Sequence, residues 1–390
     1  MPPYATPPQR DSWFAPLSID LFIKVLKTSF FHPFIAWIIP LCFRAQNMFW
    51  DAPPMLVSIT WASIISLSWI AGVINNRLAF GLPREVDLSE EVIVITGGAS
   101  GLGLLIAEVY GMRGATVAVL DIVEMENGEA RGVTYYKCDV TDKDQLAQVA
   151  AKIERDVCLP FALSPLFPCQ SNSTTILTHS PPPQLGTPTV LINNAAIVIG
   201  KPLLSMTFPE IDKSLSTNLL SHFYTLKTFL PAMARSEVGG TVVTVSSVIG
   251  TVGAARLTDY AAAKAGISAL HRSLAAELRQ SHPQIRTVLV TPGQLSTPLF
   301  YGVQTPNRFL APVVEPVDVA KEVIAAIDNG RNAAIGMPLY ARWIDWYNVL
   351  PVGLQAVARK VAGVDTAMNS FVGRRGSAKE KKEGSLIQGF

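Results

Sequence analysis

Cysteine is scarce in this 390-residue chain, with Cys42, Cys138, Cys158 and Cys169 the only four. Their spacing matches no metal-ligand pattern and no disulfide framework, so no metal site is expected and a reducing, cytosol-facing setting fits. Charge is scarce too: 16% of residues carry one and the formal net charge is +2. That leaves no basic surface to suggest a nucleic-acid partner. A small-residue cleavage site is also missing behind the first apolar stretch, which starts too late for a cleavable signal peptide. What the chain has in excess is apolar side chains, 49% of the total, at a mean hydropathy of +0.30. It is also longer than the roughly 250 residues that one doubly wound domain commonly uses.

The apolar surplus lies near the start. Met55–Ile74 has no charged residue, contains Trp61 and Trp69, and is long enough to span a bilayer as a helix. The other reading is a buried helix packed on the domain. Upstream, Ser29–Phe43 is shorter and carries Pro33 and Pro40, as a re-entrant or interfacial piece would. Lys24, Lys27, Arg44, Arg77 and Arg84 flank the two parts. If these form a hairpin, that positive excess keeps both flanks cytosolic. Residues 1–85 are therefore read as a membrane-anchoring region with a candidate span at 55–74.

The next segment carries chemistry. Glu91-Val-Ile-Val-Ile95 reads as a buried strand, Leu104–Met112 suits a helix, and between them runs Thr96-Gly97-Gly98-Ala99-Ser100-Gly101-Leu102-Gly103. Strand, glycine turn and helix form a phosphate-binding loop. Gly97 permits the turn, Gly101 admits backbone to a pyrophosphate, and Gly103 lets helix and strand approach. A second strand, Thr116–Leu120, ends on Asp121. An acidic side chain there accepts hydrogen bonds from ribose hydroxyls and repels a 2′-phosphate. With no Lys or Arg in Gly98–Ser100 or directly after Asp121, NAD is favoured over NADP. The alternative is that Asp121 only caps a turn.

Far downstream, Tyr260-Ala-Ala-Ala-Lys264 places a phenol and an ammonium at i and i+4 on one helix face. A neighbouring ammonium and an oxidised nicotinamide both favour the phenolate, which makes Tyr260 a usable base near neutral pH. Val242–Val245 reads as a strand ending at Ser246-Ser247, and a hydroxyl at Ser247 can hold a substrate oxygen while the phenolate takes its proton.

From about Glu90 to Gly336 these motifs together resemble the short-chain dehydrogenase/reductase family. The resemblance implies a doubly wound parallel α/β sheet (Rossmann-like) as one catalytic domain, 86–336. It implies a cofactor site of Thr96, Gly97, Ser100, Gly101, Leu102, Gly103, Asp121, Asp139, Asn194, Tyr260, Lys264, Pro292, Gly293 and Thr297, with Thr297 on the nicotinamide carboxamide. Asn193-Asn194-Ala195-Ala196 departs from the family's Asn-Asn-Ala-Gly at its last position, which bears on local backbone geometry. Asn218 would hold a water in a proton relay to Lys264, completing a catalytic tetrad of Asn218, Ser247, Tyr260 and Lys264. Subunits of this family commonly pair through helices flanking the active site, so a homodimer is possible on this resemblance. The stretches Gly200–Leu204, Phe229–Met233, Val248–Gly250 and Leu257–Tyr260 resemble the membrane-bound retinol and 17β-hydroxysteroid dehydrogenase branch of endoplasmic reticulum and lipid droplets. The expected reaction is hydride transfer between an apolar alcohol (retinoid, steroid or long-chain lipid) and NAD, or its reverse. A greasy lid from Pro298–Tyr301 and Phe309-Leu310 fits such a substrate. The alternatives are a non-catalytic, membrane-tethered NAD- and lipid-binding scaffold, or a reductase acting on a soluble carbonyl.

Two stretches stand apart. Cys158–Leu185 is uncharged, rich in Pro, Ser and Thr, and sits between the helix Asp142–Asp156 and the strand Thr189–Asn193, where a few residues normally suffice. It reads as an insertion, 158–185, either a translated unspliced intron or a disordered loop peculiar to this protein. Residues 337–390 read as an amphipathic extension and basic tail. Within them Leu339–Ala362 carries Trp343, Trp346 and Tyr347 beside Arg342, Arg359 and Lys360. That segment suits a membrane interface or a cover over the substrate pocket.

Overall fold

The computed structural model describes residues 18–123, 132–162, 187–303, 305, 309 and 311–373. The chain forms two compact units, one of residues 10–82 and 308–312 and the other comprising most of the rest.

In the first unit, α1 (Ile19–Thr28) and α2 (Pro33–Ala45) are bent 52° from each other, and α3 (Pro53–Phe80) follows. Prolines start α2 and α3, where the missing N–H costs nothing. Helix α2 packs on α3 through buried Ala36, Ala62 and Ile65, and the Trp37 Nε1–H donates to Ser66 Oγ at 3.0 Å. Outside that seam α3 is apolar and exposed, with Val57, Leu67, Trp69 and Leu78 among its uncovered side chains. It is 28 residues long with a mean hydropathy of 1.8 over its most apolar window, and is the one described helix long and apolar enough to cross a membrane. It contains the whole expected span 55–74.

The second unit runs β1 (Val92–Thr96), α4 (Gly101–Met112), β2 (Thr116–Asp121), β3 (Val133–Lys137), α5 (Lys143–Ala162) and β4 (Val190–Asn193). It continues with α6 (Phe208–Leu215), α7 (Ser221–Arg235), β5 (Gly240–Val245), α8 (Ile249–Val252) and α9 (Thr258–Ser281). The last described elements are β6 (Ile285–Pro292), α10 (Pro316–Asp328), β7 (Ala333–Met337) and α11 (Val352–Ala362). All pairings in the sheet are parallel, in the order β3-β2-β1-β4-β5-β6-β7. This is the doubly wound sheet expected from the sequence. Insertion residues 163–185 lie outside the described residues, while the backbone of α5 runs on to Ala162.

Strand alternation builds two apolar layers. Ile93, Ile95, Val117 and Val119 face α4 and α10, meeting Ile106, Val323 and Ile327. Val92, Val94, Ala118 and Leu191 face the other way, against Leu146 of α5, Phe229 of α7 and Leu278 of α9. At the N-terminal edge of the sheet, buried Arg84 and Glu91 pair at 2.7 Å, and Glu91 also accepts the Thr189 hydroxyl. Strand β1 pairs with β2 on one side and β4 on the other, so chain direction across the sheet reverses between them. In such sheets a crevice opens at that point, beyond the carboxyl ends of the strands.

Candidate active site

A cleft of about 1200 Å³, its open side included, occupies that crevice. Of the residues expected at a cofactor or catalytic position, Gly97, Ser100, Gly101, Leu102, Asp121, Asp139, Asn194, Ser247, Tyr260, Lys264, Pro292, Gly293 and Thr297 line it. Thr96, Gly103 and Asn218 stand behind the wall. Thr96 is buried and its hydroxyl accepts the Asn194 and Ala195 N–H groups at 3.1 and 3.2 Å, holding the end of β4 against β1.

The glycine turn fits a bound dinucleotide. Gly97 sits at φ +64°, and a Cβ there would lie 2.6 Å from Ala195 Cα. A Cβ on Gly103 would lie 2.6 Å from Gly97 O and 2.7 Å from Asn194 Nδ2. Gly101, at φ +61°, opens α4, and a Cβ there would meet only Thr297, at 3.6 Å. Backbone therefore lines the cleft with no side chain between it and a ligand, and the α4 N-terminus offers its N–H groups to an anion. Ala196 also lines the cleft and, unlike Asn47 and Arg256, is not among the non-glycine residues at positive φ. The alanine in place of the family's glycine is thus accommodated without backbone strain.

Asp121 caps its turn, as one of its two readings expected, and also reaches the glycine turn. Its Oδ2 accepts the Ala99 N–H at 3.1 Å and its Oδ1 the Val123 N–H at 3.2 Å, so the carboxylate braces the glycine turn and caps its own. Each oxygen keeps a lone pair for a further donor. Ile122 follows it on the cleft wall.

At the other end, α9 presents Tyr260 and Lys264, 3% and 1% exposed. The Lys264 Nζ lies 5.4 Å from the Tyr260 ring centroid and donates to Val245 O at 2.8 Å. Burial acts on both against charge: it pushes the Tyr260 phenol up and Lys264 down to about 7. Without a further positive charge the pair favours its neutral form. The Ser247 Oγ accepts the Ile249 N–H at 3.3 Å and lies 3.4 Å from Pro292 O.

Asn218 lies in one π-helical turn, Ser216–Leu220, between α6 and α7. Its Oδ1 accepts the Ile197 N–H at 2.9 Å, and its Nδ2 donates to Ile197 O at 2.9 Å and to Ser214 Oγ at 3.1 Å. Ser214 in turn donates to Asp259 Oδ2 at 2.5 Å, one residue before Tyr260. Asp259 is buried, and its Oδ1 has no hydrogen-bond partner. This Asn218–Ser214–Asp259 chain links the π turn to the first turn of α9. One helical turn beyond Asn218, His222 is buried with Nδ1 unpartnered; burial, with the charge of Lys264, pushes it down to about 3.

Sequence reasoning missed Ser214, Asp259 and His222. It also missed the cleft residues Ile197, Lys213 and Thr217, whereas Ala195 of the Asn193–Ala196 segment and Pro298, Leu299 and Phe300 of the expected lid do line the cleft. No local pattern signals the missed residues, because each acts through a partner distant in sequence.

The sequence model described as short chain dehydrogenase matches residues 91–158 and 180–307. The chain belongs to the short-chain dehydrogenase family. The break in the match falls within the stretch read as an insertion. This short-chain dehydrogenase is 28% identical over 280 residues to the uncharacterized oxidoreductase YDL114W of Saccharomyces cerevisiae, covering 70% of this chain and 82% of that one. It is 28% identical over 314 residues to short-chain dehydrogenase/reductase family 16C member 6 of Bos taurus, covering 77% and 90%. It is 29% identical over 310 residues to retinol dehydrogenase 10 of Homo sapiens, covering 77% and 90%. The chain is an oxidoreductase of this family, in its retinol dehydrogenase-like branch.

Proposed function

We propose that this oxidoreductase is an NAD-dependent dehydrogenase of an apolar alcohol, working at a membrane. The observation that carries the reading is the convergence of Tyr260, Lys264 and Ser247 at one end of a cleft whose other end is the glycine turn. Bound NAD supplies the hydride acceptor and a positive charge beside the phenol. The Tyr260 phenolate accepts the hydroxyl proton of the alcohol as its carbon loses hydride, leaving the carbonyl product. Ser247 steadies the substrate oxygen, Lys264 favours the phenolate, and Asn218 orients the path that returns the proton to solvent.

Asp121 supports NAD over NADP, since a 2′-phosphate would meet a carboxylate and Ile122 rather than a cation. Two facts support an apolar substrate. Relatives of this chain are named retinol dehydrogenases, and the ring of Phe300 stands edge-on to Tyr260 at 6.0 Å. The exposed apolar length of α3, about 42 Å at 1.5 Å per residue, supports a membrane span with tilt. Endoplasmic reticulum or lipid droplet, with the catalytic unit facing cytosol, is the location that fits.

The test is formation of reduced nicotinamide by membranes bearing the wild type or Tyr260→Phe, supplied with retinol, hydroxysteroids or long-chain alcohols and with NAD or NADP. Activity with one lipid class, reduced at least about 100-fold in the variant, is expected. NAD binding without turnover of any substrate would refute the proposal. Asp121→Ser should raise the use of NADP relative to NAD.

A further inference from the structure

The family match ends at residue 307, yet what encloses the catalytic phenol comes from further on. Trp343, Trp346, Val349 and Val352 are exposed; no residue after Phe300 lines the cleft itself, and none of 339–362 belongs to the buried cluster around Tyr260. The cover comes from the next segment, residues 364–373. Met368 is 2% exposed and packs in one buried cluster with Tyr260 and Leu257, flanked by Ile249, Phe300 and Phe371.

This strap is seated on the loop after β6. The N–H groups of Val372 and Gly373 both donate to Tyr301 O, at 3.1 and 3.0 Å, and Ser370 Oγ donates to Gly302 O at 2.8 Å. Two glycines at positive φ make room for it. A Cβ on Gly200 (φ +73°) would overlap the Phe371 ring, and one on Gly302 (φ +85°) would overlap the Ser370 carbonyl.

An alcohol whose oxygen reaches Tyr260 brings its carbon skeleton among the neighbours of that ring. The apolar neighbours of that ring are this cluster, with Phe300 edge-on to it at 6.0 Å. Every strap side chain in the cluster is apolar, and Met368, unbranched and polarizable, can repack around skeletons of different shape. Three hydrogen bonds to the Tyr301 and Gly302 carbonyls seat the strap. We infer that Met368 and Phe371 determine substrate specificity, forming the wall that accepts an apolar skeleton attached to the reacting carbon. This rests on the dehydrogenase reading above and names the residues that select its substrate.

The experiment uses the full chain in membranes, comparing wild type with Met368→Ala, Phe371→Ala and Gly200→Ala. The first readout is kcat/KM for primary alcohols of increasing apolar chain length and for retinol. The second is retinol binding in the presence of NADH, followed by retinol's own fluorescence. NADH affinity and the thermal midpoint are recorded alongside. The long-to-short ratio of kcat/KM should fall roughly tenfold in Met368→Ala, the scale of losing a few methylene contacts, with NADH affinity unchanged. Gly200→Ala, which displaces the Phe371 ring, should lower the ratio in the same direction. An unchanged ratio in all three variants, whatever their thermal midpoints, would overturn the inference. If the wild type turns over no alcohol, the dehydrogenase reading has failed and retinol binding decides: weakened binding in Met368→Ala upholds the wall, and equal binding refutes it.

Discussion

Replacing Lys264 with methionine should make the protein more stable near neutral pH while abolishing its activity, and the gain should vanish in alkali. An unfolded lysine titrates near 10.4, whereas burial pushes Lys264 down to about 7. At about 1.4 kcal/mol per pH unit, holding the ammonium in the fold costs about 5 kcal/mol below pH 7. Between pH 7 and 10.4 the unfolded chain retains a proton that the folded chain has lost, so wild-type stability rises with pH through that window. Methionine, unbranched like lysine, removes this cost but leaves the Val245 carbonyl, now bonded at 2.8 Å, without its donor. That loss is about 1–3 kcal/mol. The net gain is about 2–4 kcal/mol at pH 6, or roughly 4–8 °C in thermal midpoint at about 2 °C per kcal/mol for a large domain. Near pH 10 only the lost hydrogen bond remains, and the variant should be the less stable of the two. Thermal unfolding of both proteins in the same detergent from pH 6 to pH 10 reads the crossing. Parallel curves across that range would refute the reasoning.

Gly103→Ala places a methyl group on two backbone and amide atoms at once; loss of nicotinamide binding and a clearly lower thermal midpoint are expected. Gly101→Ala has open space and only its positive φ to contend with, a cost of about 1–2 kcal/mol, so calorimetry should rank it well above Gly103→Ala. Asp259→Leu, which strips the Ser214 hydroxyl of its acceptor, should lower kcat about tenfold with nicotinamide affinity kept, and Asp259→Asn should restore most of it. Equal kcat in all three proteins would assign Asp259 to stability alone. His222 and His271 are pushed by burial down to about 3 and 4, so the unfolded chain takes up protons first as pH falls below 6.5 and stability drops. His222→Gln with His271→Gln should move the acid midpoint of unfolding, followed by circular dichroism, to lower pH.

How much of this was legible depends on how local the cause is. The run Val92–Thr96 and its glycines declare strand, turn and helix within a dozen residues, because burial on both faces and positive φ are local demands. The apolar helix α3 was legible for the same reason: the twenty uncharged residues of Met55–Ile74 leave few alternatives to a long helix. Asn218 was found as a residue but not as a geometry, since its π turn is held by Ile197 and Ser214, an arrangement no periodicity encodes. Asp121 was read as a ribose partner or as a turn cap; its bond to the Val123 N–H is that cap, and only its brace on the Ala99 N–H, beyond the end of another strand, went unread. Covering the pocket with Leu339–Ala362 was one of two readings, and exposed Trp343 and Trp346 go against it. The cover, Met368, belongs to a run with helical spacing (Val364, Ala367, Met368, Phe371, Val372) that folds as successive turns, so its seat on Tyr260 is set by tertiary contacts rather than by its own pattern.

The central pairing also fixes when the site can come into being. Thr96 bonds to Asn194, a residue 98 positions later, so β1 leaves the ribosome and waits for its inner neighbour. At about 5–20 residues per second of synthesis, that wait lasts roughly 5–20 s. Throughout it the edge of β1 that β4 will cover leaves its backbone N–H and C=O groups open to any passing strand. Met368 emerges later still, so Tyr260 of a nascent chain lacks that neighbour until the last described stretch has been made. A folding helper acting on this protein would find its target in that interval, on the β1 edge.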